Sequence, residues 1–192
     1  MEKMSSLTSR FALIASLTLL PVAMIGQTNS MSAGSSSSSV NASDKKFVRE
    51  AAQGGMAEVE LGKLATEKAS SPEVKKFGQR MVDDHSKAND QLKEVASSQG
   101  IMLPSKLSAK DEMTKERLSK LSGEQFDKAY MSDMVKDHTQ DVADFQQEAT
   151  SASDPAVKEF AEKTLPVLKS HLREAKQIEP TTSANASKMQ GS

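Results

Sequence analysis

Apolar residues recur at alternating steps of three and four along four long stretches of the chain, the spacing of an amphipathic α-helix that buries one face. The first stretch begins near Asp44. Two others begin at Ser71-Pro72 and Asp154-Pro155, where a side chain that can cap a helix precedes a proline at the first helical position. The pattern therefore predicts four helices, each with one apolar face.

The breaks between these helices are short, with one exception. Residues 101–123 connect the second and third helices, and this connection is far longer than the roughly two to eight residues usual between adjacent helices. Ser105 or Ser108 can cap a short helix within it. The second and fourth helices begin with similar sequences, which indicates two helical hairpins. Together these features predict an all-α fold: a ferritin-like antiparallel four-helix bundle with one long crossover between helices 2 and 3.

The composition of the chain favours helices and excludes some partners. Its 192 residues include no Trp, one Tyr and no Cys, so residues that favour strands are scarce and disulfides are impossible. The 25 basic and 26 acidic residues are interspersed. Because no basic stripe is present to follow a phosphate backbone, we expect no nucleic-acid partner.

Both ends of the chain differ in composition from the helical part. Residues 1–26 are typical of a signal peptide, because basic residues precede an apolar run at residues 11–25 that is shorter than the roughly 20 residues of a membrane span. An uncleaved membrane anchor is the alternative. Residues 27–43 form a predicted Ser-rich disordered linker, residues 44–179 the helical domain, and residues 180–192 a disordered tail. We expect an exported protein, in the periplasm or associated with the outer membrane.

Four polar residues interrupt the apolar faces, one on each predicted helix. They are Glu58, His85, His138 and His171, and the chain contains no other histidine. Each lies near the middle of its helix, about 20 to 24 Å from the helix start at a rise of 1.5 Å per residue. Because antiparallel helices agree in level at their middles, the four side chains are predicted to converge in one layer of the core.

Imidazoles with one carboxylate suit a transition metal, and the candidates are Fe, Mn, Zn and Cu. Four nearby acidic residues can complete or orient the ligand set: Asp84, Asp137, Asp141 and Glu174. Met81 and Met134, each one turn before a histidine, add the option of Cu(I). Two alternatives stay open, namely a hydrogen-bonded polar layer without metal and histidines scattered on the surface.

Several short stretches of the chain carry a family resemblance. They are residues 51–65, residues 81–86, residues 121–123 with Phe126 and Tyr130, Asp137-His138, and Leu165-Pro166 with His171-Leu172. In these stretches the chain resembles a bacterial family of exported proteins, domain of unknown function 4142, which is described as containing outer membrane proteins and placed in the ferritin-like superfamily. The resemblance implies a four-helix fold and export, and it brings no established activity.

The wider ferritin-like superfamily includes di-iron proteins that carry Glu-x-x-His on two helices. This chain departs from that motif, because Val82, Val135 and Leu168 stand three residues before its histidines. A ferroxidase site is therefore not implied residue by residue.

Two functions remain open from the sequence. The first is an exported helical protein that binds a transition metal in its core for sequestration, sensing or redox protection. The second is a non-catalytic envelope, stress-protection or interaction protein with an envelope partner and a purely structural polar layer. The motifs of the common nucleophilic hydrolases, phosphate-binding loops and zinc proteases are all missing, and whether the protein is an enzyme stays open.

Overall fold

The structure, a computed structural model, describes residues 40–189, with side chains described through residue 179. This part of the chain is all-helical and contains no strand, which confirms the predicted class. Its five helices are α1 (Ala42–Lys68), α2 (Pro72–Ser98), α3 (Ala109–Ser119), α4 (Gly123–Ser151) and α5 (Pro155–Met189). None of the helices in this range has a stretch that is long and apolar enough to cross a membrane.

The four long helices pack as two pairs. Helix α1 lies along α2 and α4 lies along α5, while contacts of α2 with α5 and of α1 with α4 join the pairs. The short helix α3 contacts α1 and α4, so the long connection carries a helix as the sequence predicts. Gly62 of α1 and Gly78 of α2 let the first pair approach closely, because a Cβ on Gly62 would lie 2.6 Å from the carbonyl oxygen of Gly78.

Side-chain caps begin the helices at the predicted breaks. Ser71 accepts a hydrogen bond from the amide of Val74 before α2. Asp154 accepts bonds from the amides of Ala156 and Val157, at 2.9 and 3.1 Å, before α5. Each cap satisfies donors that the first turn of a helix leaves free.

The start of α1 differs from the predicted boundary. Asn41 caps α1 by accepting a 2.8 Å hydrogen bond from the amide of Asp44, and it also donates a 2.7 Å bond to the hydroxyl of Ser153. Val40 packs against the core. Residues 40–43 therefore belong to the folded part rather than to the linker predicted at residues 27–43. The predicted signal peptide and the rest of that linker lie outside the described residues.

The end of α5 also differs from the prediction. The sequence predicts a disordered tail at residues 180–192, but the helical backbone continues past Pro180 to Met189. A proline removes one backbone donor and disfavours a helix interior. Once a packed segment has nucleated the helix, however, each added residue extends it at low cost, and this accounts for the longer helix.

Two apolar clusters fill the interior of the packed helices. One contains Phe77, Met81, Phe126, Tyr130, Met134 and their neighbours, and the other contains Phe47, Leu92, Phe145, Phe160, Leu168 and their neighbours. On each long helix, a buried polar residue stands between the segment in one cluster and the segment in the other. A polar layer thus separates the two apolar halves of the core.

Candidate metal centre

The polar layer consists of the four residues that interrupt the apolar faces. Glu58 is 3% exposed, His85 is 7% exposed, and His138 and His171 are fully buried. The centroids of the three imidazole rings lie 5.2 to 5.7 Å apart. The Oε1 atom of Glu58 lies 4.0 Å from Nδ1 of His138. The structure therefore brings all four residues together in the core.

The three histidines form a compact group of ligand atoms. One nitrogen from each of His85, His138 and His171 lies within 4.8 Å of the nitrogens of the other two. Each ring also has one buried nitrogen without a hydrogen-bond partner among the described residues: Nε2 of His85, Nε2 of His138 and Nδ1 of His171. An unpaired buried polar atom costs about 1–3 kcal/mol, so three such nitrogens in one place make the group a candidate binding site.

Hydrogen bonds fix the tautomers of two of these rings. Nδ1 of His138 lies 3.0 Å from the carbonyl oxygen of Met134, and because a carbonyl only accepts, Nδ1 carries the proton. Nε2 of His171 lies 2.7 Å from Oδ2 of Asp84 and donates to that carboxylate. The remaining nitrogens, Nε2 of His138 and Nδ1 of His171, therefore keep their lone pairs.

The environment keeps all three imidazoles neutral. Burial, reinforced by His171, lowers the pKa of His138 to about 3. Burial and the two neighbouring rings lower the pKa of His85 well below its usual range, and burial lowers that of His171 even though Asp84 opposes the shift. Neutral imidazole is the form that binds metals, so the rings are ready to act as ligands without first losing a proton.

A network on the outer side of His171 holds its partner Asp84 in place. The Nε atom of Arg80 lies 3.2 Å from Asp84, and the same guanidinium pairs with Glu174 and donates a 3.1 Å bond to Ser170. Glu174 is thus occupied by Arg80 and does not join the rings. Arg80 is not among the residues predicted from the sequence, although its position four residues before Asp84 on one helix face was a usable signal.

A second group of ligand atoms shares His138 with the first. One oxygen of Glu58, one of Asp141 and one nitrogen of His138 lie within 4.8 Å of one another. Burial, then the charges of Asp141 and Asp137, raises the pKa of Glu58 well above its usual range. Burial, then Asp137, raises the pKa of Asp141 to about 7. Of the predicted residues, the three histidines therefore form one group, and Glu58 and Asp141 form a second group with His138.

Two clefts reach this layer from the surface. A cleft of about 90 Å³ between α1, α2, α4 and α5 is lined by His85 and has room for a few water molecules. A larger cleft of about 330 Å³ between α1, α3 and α4 is lined by Glu58 and Asp141. Asp141 lines both clefts, whereas His85 lines only the first of the two and Glu58 only the second.

The apolar neighbours of the rings come from one of the two core clusters. Phe77 packs edge-on against both His138 and His171, with ring centroids 6.4 Å apart in each case. Met81 and Met134 are fully buried in the same cluster. These methionines are among the residues predicted from the sequence, but Phe77 is not, because its place on an apolar stripe gave no sign of ring contacts.

Solved structures share the fold of this chain. A crystal structure of a DUF305 fragment from Deinococcus radiodurans matches with a TM-score of 0.66 and 15% identity, over 74% of this chain and 98% of that one. A DUF305 protein from Streptomyces coelicolor, described as a predicted secreted protein, matches with a TM-score of 0.62 and 14% identity, over 73% and 94%. At these identities the likeness shows the fold alone. No curated protein sequence matches significantly.

A family model with the description domain of unknown function (DUF4142) matches residues 29–178, which include all five helices up to the last part of α5 and every residue of the polar layer. The chain therefore belongs to the DUF4142 family.

Proposed function

We propose that the chain is an exported, ferritin-like four-helix bundle that binds a transition-metal ion through His85, His138 and His171. The observation that carries this proposal is the group of three buried, neutral imidazoles with nitrogens within 4.8 Å of one another. Each ring keeps a buried nitrogen that no described protein atom satisfies. A purely structural polar layer would pair these nitrogens with one another or with an acid.

The supports behind two of the rings strengthen the proposal. Metal-binding histidines usually donate their second N–H to a carboxylate or a backbone carbonyl, which fixes the ring and raises its basicity. His171 has the carboxylate of Asp84 in this position and His138 has the carbonyl of Met134. Both supports leave the other nitrogen of the ring free inside the core.

The ligand set is compatible with all four candidate metals. Imidazoles without a thiolate suit Zn, Cu and Fe, and Mn stays in the set because carboxylates lie close by. Met81 and Met134 pack in the adjoining cluster, so Cu(I) is tested alongside Cu(II). A bound transition metal would supply Lewis-acid or redox chemistry, and the chain's own residues would hold it and limit access.

The narrow approach to His85 favours small species. A cleft of about 90 Å³ holds a few waters or a small inorganic molecule and no macromolecular substrate. Sequestration, sensing or redox protection are therefore the roles that fit the site. Export is supported by the apolar run at residues 11–25 and by the description of one structural neighbour as a predicted secreted protein.

The bundle and its ferritin-like layout rest on helix packing and connectivity. Helices α1 and α2 form one pair, α4 and α5 the other, and the connection that contains α3 links the pairs. This is the order of a four-helix bundle with one long crossover.

The experiment is elemental analysis by mass spectrometry of the untagged protein, purified from its native envelope without chelators. We expect about one equivalent of Fe, Mn, Zn or Cu, lost in the His85→Ala, His138→Ala double variant. Phe77→Leu is the matched control, because it changes the packing against the rings without removing a ligand. Metal-free but stably folded protein, or unchanged metal in the double variant, overturns the proposal and leaves a structural layer in an interaction protein, whose envelope partner is then sought by crosslinking.

A further inference from the structure

The cleft between α1, α3 and α4 is strongly acidic. It is lined by five carboxyl groups, those of Glu58, Asp111, Asp133, Asp137 and Asp141, and by only two lysines. With a volume of about 330 Å³, the cleft has room for a hydrated cation. Its inner end is formed by Glu58, the acidic member of the polar layer.

Two of the five carboxyl groups already have partners. Asp133 pairs with Arg117, and Asp111 accepts a 2.6 Å hydrogen bond from Ser108. Asp137 and Asp141 form no hydrogen bond or ion pair with a described residue, even though Lys110 and Lys136 line the same cleft. The fold therefore places lysines near these two aspartates without neutralising them by direct contact.

The unpaired carboxyl groups gather around the buried one. Glu58 is 3% exposed, and its Oε2 atom is buried without a hydrogen-bond partner among the described residues. One oxygen of Glu58 and one of Asp141 lie within 4.8 Å of each other. Asp137 stands four residues before Asp141 and shares its face of α4. Helices α1 and α4 thus bring three carboxyl groups to the lining of this cleft, and none of the three accepts a hydrogen bond from a described residue.

We propose that Glu58, Asp137 and Asp141 form a second cation site, distinct from the three imidazoles, that binds a hard divalent cation of the Mn²⁺ type. Oxygen ligands suit Mn²⁺, Mg²⁺ and Ca²⁺, and water in the cleft can complete the coordination. The proposal of this site is based on the cleft and its carboxyl groups, and it does not depend on metal binding by the histidines.

The tautomer of His138 separates the two sites. Nδ1 of His138 donates its proton to the carbonyl of Met134, and this is the nitrogen that lies 4.0 Å from Glu58. The ring therefore has one lone pair, on Nε2, and this nitrogen can serve only one ion. We infer that the carboxylate site takes its ligands from oxygen atoms alone, which gives the two sites different metal preferences.

The experiment measures Mn²⁺ binding by electron paramagnetic resonance of the free ion, using the full chain with His85→Ala and His171→Ala to disable the imidazole group. We expect this double variant to bind one Mn²⁺ per chain. We expect the same number for the unsubstituted chain after Zn²⁺ has saturated its imidazole group. Adding Glu58→Gln or Asp141→Asn should weaken Mn²⁺ binding at least about tenfold, since each removes one of the few carboxyl groups that can bind the ion as a carboxylate. Asp144→Asn is the matched control, because Asp144 lies one turn further along α4, is exposed, accepts a hydrogen bond from Gln140 and does not line the acidic cleft.

Three results would overturn the second site. The first is no Mn²⁺ binding by the folded unsubstituted chain at millimolar Mn²⁺, and the second is Mn²⁺ binding that is lost in the histidine double variant but kept in Asp141→Asn. The third is an equal loss of Mn²⁺ affinity in Asp144→Asn and Asp141→Asn. Circular dichroism verifies the fold of each variant, and Asp137→Asn replaces Glu58→Gln if the latter fails to fold. Because the test variant lacks two imidazoles, its Mn²⁺ binding can be interpreted whether or not the three histidines bind a metal.

Discussion

The Nε2 atom of His171 on α5 lies 2.7 Å from Oδ2 of Asp84 on α2, while Nδ1 of the same ring is buried without a described partner. The hydrogen bond joins two helices that are distant in sequence and sets which nitrogen of the ring is free. Arg80 holds Asp84 from the other side. The carboxylate is thus placed where a residue that orients a metal-binding imidazole would stand.

Replacement of Asp84 by Ala should weaken metal binding without removing a ligand. The ring of His171 would lose both its fixed tautomer and its orientation, and losses of this kind typically cost about 10- to 100-fold in metal affinity. Competition with a chromophoric chelator measures the change. Asp83→Ala is the control, because the neighbouring Asp83 is exposed and, among the described residues, accepts a bond from Gln79 alone. Equal affinities in the two variants would contradict the orienting role.

Phe77→Ala should destabilise the metal-free protein by about 3–5 kcal/mol, the usual cost of removing a buried aromatic ring. Phe77 is fully buried and packs against Tyr130, His138 and His171, so the cavity would open beside the polar layer. Urea denaturation measures the free energy of unfolding. Met113→Ala, at a side chain that is 64% exposed, should change it by less than about 0.5 kcal/mol. A similar small change for Phe77→Ala would show that the cluster tolerates the cavity.

The sequence predicted the helices well because the apolar period and the cap-plus-proline pairs are local signals. The first boundary was harder, since Asn41, Ser43 and Asp44 are all good capping residues. The choice of Asn41 depends on the packing of Val40 against the core and on the bond of Asn41 to Ser153, which lies 112 residues further along the chain. Local reasoning has no access to such contacts.

The height of each polar residue along its helix was predictable, but which of their side chains come together was not. A fixed rise per residue places Glu58 and the three histidines near mid-helix whatever the packing. How far each helix rotates about its own axis decides which atoms meet, and that depends on the whole core. Asp141 therefore lies beside Glu58, while Glu174 pairs with Arg80. Both had been equivalent candidates in the sequence.

Two glycines of α1 should respond in opposite ways to replacement by alanine. At Gly62 a Cβ would lie 2.6 Å from the backbone oxygen of Gly78, so α1 and α2 must move apart, and we expect a loss of about 1–3 kcal/mol. At Gly54 a Cβ would meet nothing within 4 Å, so Gly54→Ala should gain about 0.5–1 kcal/mol from helix propensity. Thermal and urea unfolding measure both variants. Stabilisation by Gly62→Ala would show that the two helices are not in close contact there.

Glu148→Gln should stabilise the protein increasingly as the pH rises. Glu148 is 4% exposed, and burial together with the charge of Asp44 raises its pKa above the usual 4.5. The stability that comes from the protonated group is complete below about pH 4.5 and is lost as the pH rises through the higher folded pKa. Gln stays neutral throughout, so the advantage of the variant over the unsubstituted chain should grow between pH 4 and pH 8. Chemical denaturation at several pH values measures the free energy of unfolding of both proteins, and Glu162→Gln, at an exposed position, is the control. If the difference in this free energy between Glu148→Gln and the unsubstituted chain does not vary with pH, Glu148 is ionised at no cost in the folded protein.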